Sequence, residues 1–269
     1  MELLYSDDPI SVFLFIVILI VLFIILLNLI MGIINSVGNP SQVYLLKGIS
    51  NGDTNLLVTV DPNKGSSVPI ERSINKTGIE FSWSVWLNIS DLPEASTYHH
   101  VFSKGEGSYS AGSFVLPNNS PGLYIKKATG VGDYVGESQC QLVVVMNTFD
   151  TTDHYDEVTI TNVPMNKWIS VIIRVINNNL DVYLNGLLVK SHELTTVPRQ
   201  NYGDVNIALG TGFKGYISNL IYYSYGLSPG KIQSISNGGA NLKMASNVNV
   251  LKTAPPYLST KWYSDNINV

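Results

Sequence analysis

The stretch Asn166–Ser191, NKWISVIIRVINNNLDVYLNGLLVKS, sets the fold class. Trp168–Ile176 is an aromatic-led, β-branched run of the kind that fits a pleated surface. Asn177-Asn178-Asn179 turns the chain, and Leu180–Leu184 returns along it. Asn185-Gly186 then supplies a two-residue turn in which both positions need positive φ, a conformation that Asn and Gly tolerate. Leu187–Lys190 pairs back. Three antiparallel strands in sequence make a meander.

Outward from this meander the same grammar repeats. Upstream, Phe81, Trp83, Val85, Leu87 and Ile89 fall on one face of a strand, and Ser82, Ser84, Trp86 and Asn88 on the other. Alternation makes Trp83 a core residue. It turns Trp86 outward, to stack on a sugar, to meet a partner, or to be covered by the tail. Leu142–Met146 is a continuous apolar run, as in a strand covered on both sides, and Val158–Val163 alternates. Downstream, Asp204–Leu209 and Tyr216–Tyr225 read as strands. Ser228 is an N-cap with Pro229 at the first helical position of a short helix that ends near Gly238-Gly239. Short strands separated by turn signals indicate an all-β sandwich or barrel.

The N-terminus is different. Val12–Leu27 is sixteen consecutive apolar residues, and after Asn28 the run resumes to Ile34. As one helix, Val12–Ile34 would be about 34 Å long at 1.5 Å per residue, enough to cross a hydrocarbon core about 30 Å thick. A cleaved signal peptide needs a basic start, a shorter apolar core and a small-x-small site. Glu2, Asp7 and Asp8 make this start acidic, and no such site follows. The expected organisation is a short acidic tail at 1–9, a transmembrane helix at 10–34, a linker at 35–54, a sandwich at 55–240 and an extended tail at 241–269. One short strand at Gln42–Leu46 is allowed within the linker. For orientation, only Lys47 lies in the twenty residues after the span, which mildly favours a cytosolic C-terminal bulk. Acceptor sequons at Asn75, Asn88 and Asn118 would allow the opposite.

Composition narrows the function. Charged residues are 13% of the chain, about half the usual share. There are 16 basic residues against 20 acidic ones and no basic stripe, which argues against nucleic acid as a partner. The single cysteine, Cys140, excludes an intrachain disulfide and a zinc cluster of cysteines, and its place in an apolar strand makes it buried rather than reactive.

Four ordered pieces resemble laminin-G-like, concanavalin A-like jelly rolls. They are IEFSWSVWLNI (Ile79–Ile89), HHVFSKGE (His99–Glu106), the meander above and FKGYISNLIYYSYGLSPGKIQSI (Phe213–Ile235). The fold implied is a concanavalin A-like (laminin-G-like) jelly-roll β-sandwich preceded by one N-terminal transmembrane helix. A narrower likeness rests on that helix together with VPIERSINKTGIEFSWSVW, VPRQNYGDVNIALG and the PPYLSTKWY tail. It resembles membrane-anchored virion proteins of large icosahedral DNA viruses of algae and protists. This resemblance implies a minor capsid protein in the virion inner membrane, with its C-terminal domain facing the capsid and other structural proteins as partners beside the lipid membrane.

The chemistry reads as binding. Glycoside hydrolases of this class place carboxylates at alternate positions of one strand, so that acid and nucleophile share a cleft. No such run is present. The nearest cluster is Asp150, Asp153, His154, Asp156 and Glu157, between two predicted strands. It reads as a solvated hairpin loop, with Asp150, Asp153 and Asp156 as calcium candidates and catalysis as the remaining option. No cofactor is expected otherwise. His99 and His100 are adjacent, so on a strand they point to opposite faces and cannot pair on a metal. Trp86 and the tail aromatics Tyr257, Trp262 and Tyr263 are the candidate contacts for a partner or a glycan. The tail either docks a partner or packs on its own sandwich. The expected protein is a non-enzymatic, membrane-anchored interaction module, with a carbohydrate-binding protein as the rival reading.

Overall fold

The computed structural model describes residues 9–38, 41–64, 67–73, 78–92, 98–110, 112–127, 139–149 and 155–245. A 30-residue helix, α1 (Pro9–Gly38), comes first. Its window Val12–Ile30 has mean hydropathy 3.5 and none of it is buried. The lone polar group in that window, Asn28, turns its amide back to the Ile24 carbonyl at 2.9 Å, so no unpaired donor is presented to an apolar medium on that side.

The remaining described chain is β1 (Gln42–Asn51), β2 (Leu56–Val58), β3 (Glu80–Asp91), β4 (Tyr98–Lys104), β5 (Gly107–Ser108), β6 (Leu116–Pro117), β7 (Gly122–Lys127), β8 (Gln139–Asn147), β9 (Tyr155–Pro164), β10 (Trp168–Ile176), β11 (Asn179–Leu184), β12 (Leu187–Glu193), β13 (Val205–Ile207), β14 (Lys214–Tyr223) and α2 (Pro229–Gly238). Two six-stranded sheets face each other. The first runs β1-β14-β3-β10-β11-β12 and the second β2-β13-β4-β7-β8-β9, while β5 and β6 form a small separate pair. Every strand pairing within the two large sheets is antiparallel.

Alternation fills the space between the sheets. Phe81, Trp83, Val85, Leu87 and Ile89 of β3 meet Phe102, Leu123, Ile125, Leu142 and Val144 of the opposite sheet in one core. The meander forms as read: Val171 lies opposite Leu184 in β10–β11, and Leu184 opposite Leu187 in β11–β12. Asn185 and Gly186 take φ of 49° and 83°, the positive values a tight hairpin requires. The outer face of β10 and β11 is covered by α2, whose Ile232 joins Ile172, Tyr183, Ile221, Tyr223 and Leu227 in a second cluster. Ser228 caps that helix by accepting from the Lys231 amide. The outer face of β8 is covered as well, because Phe114 and Tyr124 pack on Val143 and Val145.

One boundary differs from the sequence reading. The linker reading allowed one short strand at Gln42–Leu46; the strand there runs for ten residues, Gln42–Asn51, as an edge strand paired to β14 from Gln42↔Tyr223 to Asn51↔Tyr216. Two register shifts interrupt it. Gly48, at φ 98°, accommodates the bend and donates its amide to the Asn219 side chain at 3.1 Å. The irregularity hides the period that would have marked a strand.

The sandwich has two distinct ends. Gln42, Tyr223 and Ser82 lie together at one end of the first sheet, with Ile176 alongside. Lys104, Val205, Val58 and Gly122 mark the same end of the second, because Trp83 stacks on Phe102 across the core and Thr195 bonds Asp156 between the sheets. This is the end at which the chain enters from residue 41. At the opposite end, Tyr216 lies beside Asn51 and Asn88, and the ring of His99 bonds the Gly212 carbonyl at 2.9 Å.

Candidate functional site

A pocket of about 520 Å³ opens at the entry end, within the range typical of small-ligand sites. Its floor is Trp83 of β3, which alternation turns inward. The indole stacks on Phe102 with centroids 5.2 Å apart and tilts against Tyr222 at 5.0 Å. Trp83 is 1% exposed, yet its indole N–H has no hydrogen-bond partner among the described residues. The hydroxyl of Ser120, on the pocket wall, is buried and unpartnered in the same sense. A buried donor without an acceptor costs roughly 1–3 kcal/mol, and these two polar groups border the same cavity, where a bound molecule could hydrogen-bond them.

Lys104 ends β4 and turns its ammonium into the loop at 201–203. It donates to the carbonyl oxygens of Gly203 and Asn201, the latter at 3.2 Å. Asn201 answers by donating its amide to the Lys104 carbonyl at 3.0 Å. Gly203 has to be glycine, because a Cβ there would collide with the backbone of Gly105 and Glu106. Burial pushes the Lys104 pKa down to about 8, with Asp204 drawing it partly back, so at neutral pH the group is still the charged donor these carbonyls need.

The mouth is amphipathic. Asp204 accepts from the Val60 amide at 2.9 Å and faces Lys64 at 3.9 Å. Arg72 lies 3.9 Å from the ring centre of Tyr202, which is 78% exposed. Gln200 bonds the Tyr222 hydroxyl deeper in. Lys64, Arg72 and Lys104 are set against Asp61, Glu71, Glu106 and Asp204, so neither sign dominates. Beside the pocket, Phe149 donates its amide to the Val197 carbonyl at 2.9 Å. Phe149 and Val197 are 60% and 44% exposed.

The residues singled out in the sequence fall elsewhere. Trp86 points away from the core, as alternation requires, but is only 7% exposed and presents no open ring for stacking. Its cross-strand partners are Ser170 and Ser218. Ser236 of α2 hydrogen-bonds Ser170, and Ser218 hydrogen-bonds the Asn241 carbonyl, so the chain leaving α2 crosses this position. Asp156 opens β9 instead of sitting in a loop. Both its carboxylate oxygens accept from Thr195, at 2.7 Å each, which makes it an inter-sheet tie. No group of three metal-capable side chains occurs among the described residues. Asp150, Asp153, Tyr257, Trp262 and Tyr263 lie outside the described residues. Cys140 is buried in β8, and burial pushes its thiol up to about 12.

The pocket was not assembled by the sequence reading. Its walls come from separate segments, at 60–72, 83, 104–106, 120, 200–204 and 222, joined only by the fold. The one local signal was VPRQNYGD, where amides, an aromatic and a turn glycine gather.

Among curated proteins none matches the chain. Solved structures with some likeness include the binding domain of botulinum neurotoxin DC, in complex with SialylT (14% identity, TM-score 0.48, covering 77% of this chain and 52% of that one). The same domain in complex with rat synaptotagmin II gives 14% identity and TM-score 0.48, over 76% and 52%. The botulinum neurotoxin serotype G binding domain gives 14% and 0.46, over 71% and 45%. The chain thus spans about half the length of these structures, and the likeness is too partial to carry an argument about function. The family model of the concanavalin A-like lectin/glucanases superfamily matches residues 62–233, well over half of the chain and the whole span from the pocket's first loop to α2, and the protein belongs to that superfamily.

Proposed function

We propose that this protein is a non-enzymatic, membrane-anchored interaction module, which ties a lipid membrane to a protein shell. The observation that carries the reading is α1. The window Val12–Ile30 has mean hydropathy 3.5 and none of it is buried, the character of a bilayer span. The sandwich that follows offers a recognition pocket and covered sheet faces. The shell as partner rests on the likeness of the anchor, the VPRQNYGDVNIALG stretch and the aromatic tail to virion membrane proteins. Alkaline carbonate is expected to leave the full chain in the membrane pellet, and release to the supernatant would remove the anchor. Co-sedimentation with purified virions, resistant to high salt, is the matching test of the shell. Truncation at residue 250 is expected to lower incorporation while leaving the melting temperature unchanged.

A second reading, carbohydrate binding, is favoured by one observation: the pocket joins the unpaired indole N–H of Trp83 to the amides of Gln200 and Asn201 and to two tyrosines. Glycan binding that is lost in Trp83→Phe, which keeps the ring stacking and removes the N–H, would establish it.

A further inference from the structure

We infer that Asn237-Gly238, at the C-terminal end of α2, is the site at which this protein is modified by spontaneous deamidation, to aspartate and isoaspartate. The inference concerns the sandwich unit alone and goes beyond the binding readings above.

An Asn-Gly pair is open to this reaction because glycine has no side chain to shield its backbone nitrogen. The glycine nitrogen gives its proton to base and attacks Cγ of the preceding asparagine. The N–Cγ bond forms, the Cγ–Nδ2 bond breaks, and Nδ2 takes a proton from solvent and leaves as ammonia. Water then opens the succinimide at one carbonyl or the other. One opening gives aspartate and the other isoaspartate, so one water is consumed and one ammonia is released. The asparagine side chain has to fold onto the next peptide, so local freedom of the backbone decides which pair reacts.

The chain holds three Asn-Gly pairs, at 51–52, 185–186 and 237–238. The fold ties down the first two. Gly52 is buried against Phe213 and donates its amide to the Gly215 carbonyl at 2.8 Å, which occupies the attacking nitrogen. Asn185 donates its backbone amide to the Ser170 carbonyl at 2.9 Å, and its side-chain oxygen accepts from the Ser170 amide at 2.9 Å, which holds the group under attack.

The third pair stands in the open. Asn237 and Gly238 are exposed, and a Cβ at Gly238 or Gly239 would meet nothing within 4 Å among the described residues. Gly238 is the last residue of α2, Gly239 ends the helix at φ 72°, and no basic side chain braces the last turn. The Asn237 side-chain oxygen accepts from Gln233 at 3.3 Å, a long bond within the same exposed turn. Terminal turns open at little cost, so this pair reaches the reactive geometry without unfolding the sandwich. The product carries a charge that the C-terminal end of a helix disfavours. Isoaspartate also lengthens the backbone between α2 and the segment whose Asn241, Lys243 and Ala245 bond Ser218 and Ile49.

Peptide mapping of the full chain, aged in mildly alkaline buffer, tests this. Trypsin places the three pairs on separate peptides, 48–64, 175–190 and 232–243. In the folded protein, conversion at Asn237 is expected to run roughly tenfold or more ahead of conversion at Asn51 and Asn185, and in urea the three rates are expected to converge. Fragment spectra separate Asn237 from Asn241 on the third peptide. Asn51 or Asn185 converting as fast as Asn237 in the folded chain overturns the assignment, and so does an unconverted Asn237 beside a urea sample that has converted. As a second readout, protein isoaspartyl methyltransferase is expected to methylate the aged chain and to leave aged Asn237→Gln unlabelled, because the longer side chain closes its ring far more slowly. Equal methylation of the two puts the reaction elsewhere and counts against Asn237.

Discussion

His100 links the stability of this fold to pH through a single buried side chain. Its Nδ1 accepts from the Leu209 amide at 3.1 Å, which leaves the proton on Nε2 to be donated to the Ser103 hydroxyl at 2.9 Å. The ring is buried against Tyr109 and Tyr124, and burial pushes its pKa from 6.5 down to about 3. Below pH 6.5 the unfolded chain takes up a proton that the folded chain refuses until about pH 3. The contribution is thus complete above pH 6.5 and drains away as pH falls through that window. Urea midpoints are expected to decline across it, and His100→Gln, which does not titrate, to flatten the slope. Arg174 and Asp181 make a second local prediction. They meet at 2.7 Å with most of both side chains buried, Ser191 donates to the same carboxylate at 2.6 Å, and Arg174 also holds the Leu227 carbonyl at 3.1 Å. Asp181→Ala strands the guanidinium in the outer cluster, with a loss of about 3 kcal/mol expected in denaturant unfolding.

The β11–β12 hairpin is governed by two adjacent backbone angles. A Cβ at Gly186 is strained at φ 83° and meets the ends of the Gln233 and Ser236 side chains on α2. Gly186→Val is expected to destabilise by roughly 1–3 kcal/mol, checked by thermal melting, while Asn185 provides the other positive φ. This hairpin, the inward face of β3 and the Ser228-Pro229 start of α2 were legible because each is written in neighbouring residues. Strand β1 was legible only over Gln42–Leu46, since its bulges and Gly48 break the period beyond that and its partner β14 is far along the chain. Trp86 marks the boundary between the two cases. Alternation told which way it points, and nothing local told that the chain leaving α2 would cross it. Lys104 is held by the loop at 201–203, far along the chain, which nothing in its own segment announces.

For the molecule as a whole, the apolar N-terminal helix and the sandwich are separate units, and the family match covers only the second. The candidate pocket lies where loops from both sheets converge, so no single segment could disclose it. Removing residues 241–269 strips the Asn241 bond to Ser218 and the Lys243 and Ala245 bonds to Ile49, and the melting temperature of the sandwich is expected to fall. The pairing of β1 with β14 carries a mechanical consequence. Ladder hydrogen bonds run across the strands, and the chain leaves β1 along its axis toward residue 41. Tension applied through that residue along the strand axis loads the rungs in shear, all together. A strand entering across the sheet would peel one rung at a time. The first strand is therefore expected to hold like a tow-line splice, yielding at a higher force along its axis than across it in single-molecule pulling.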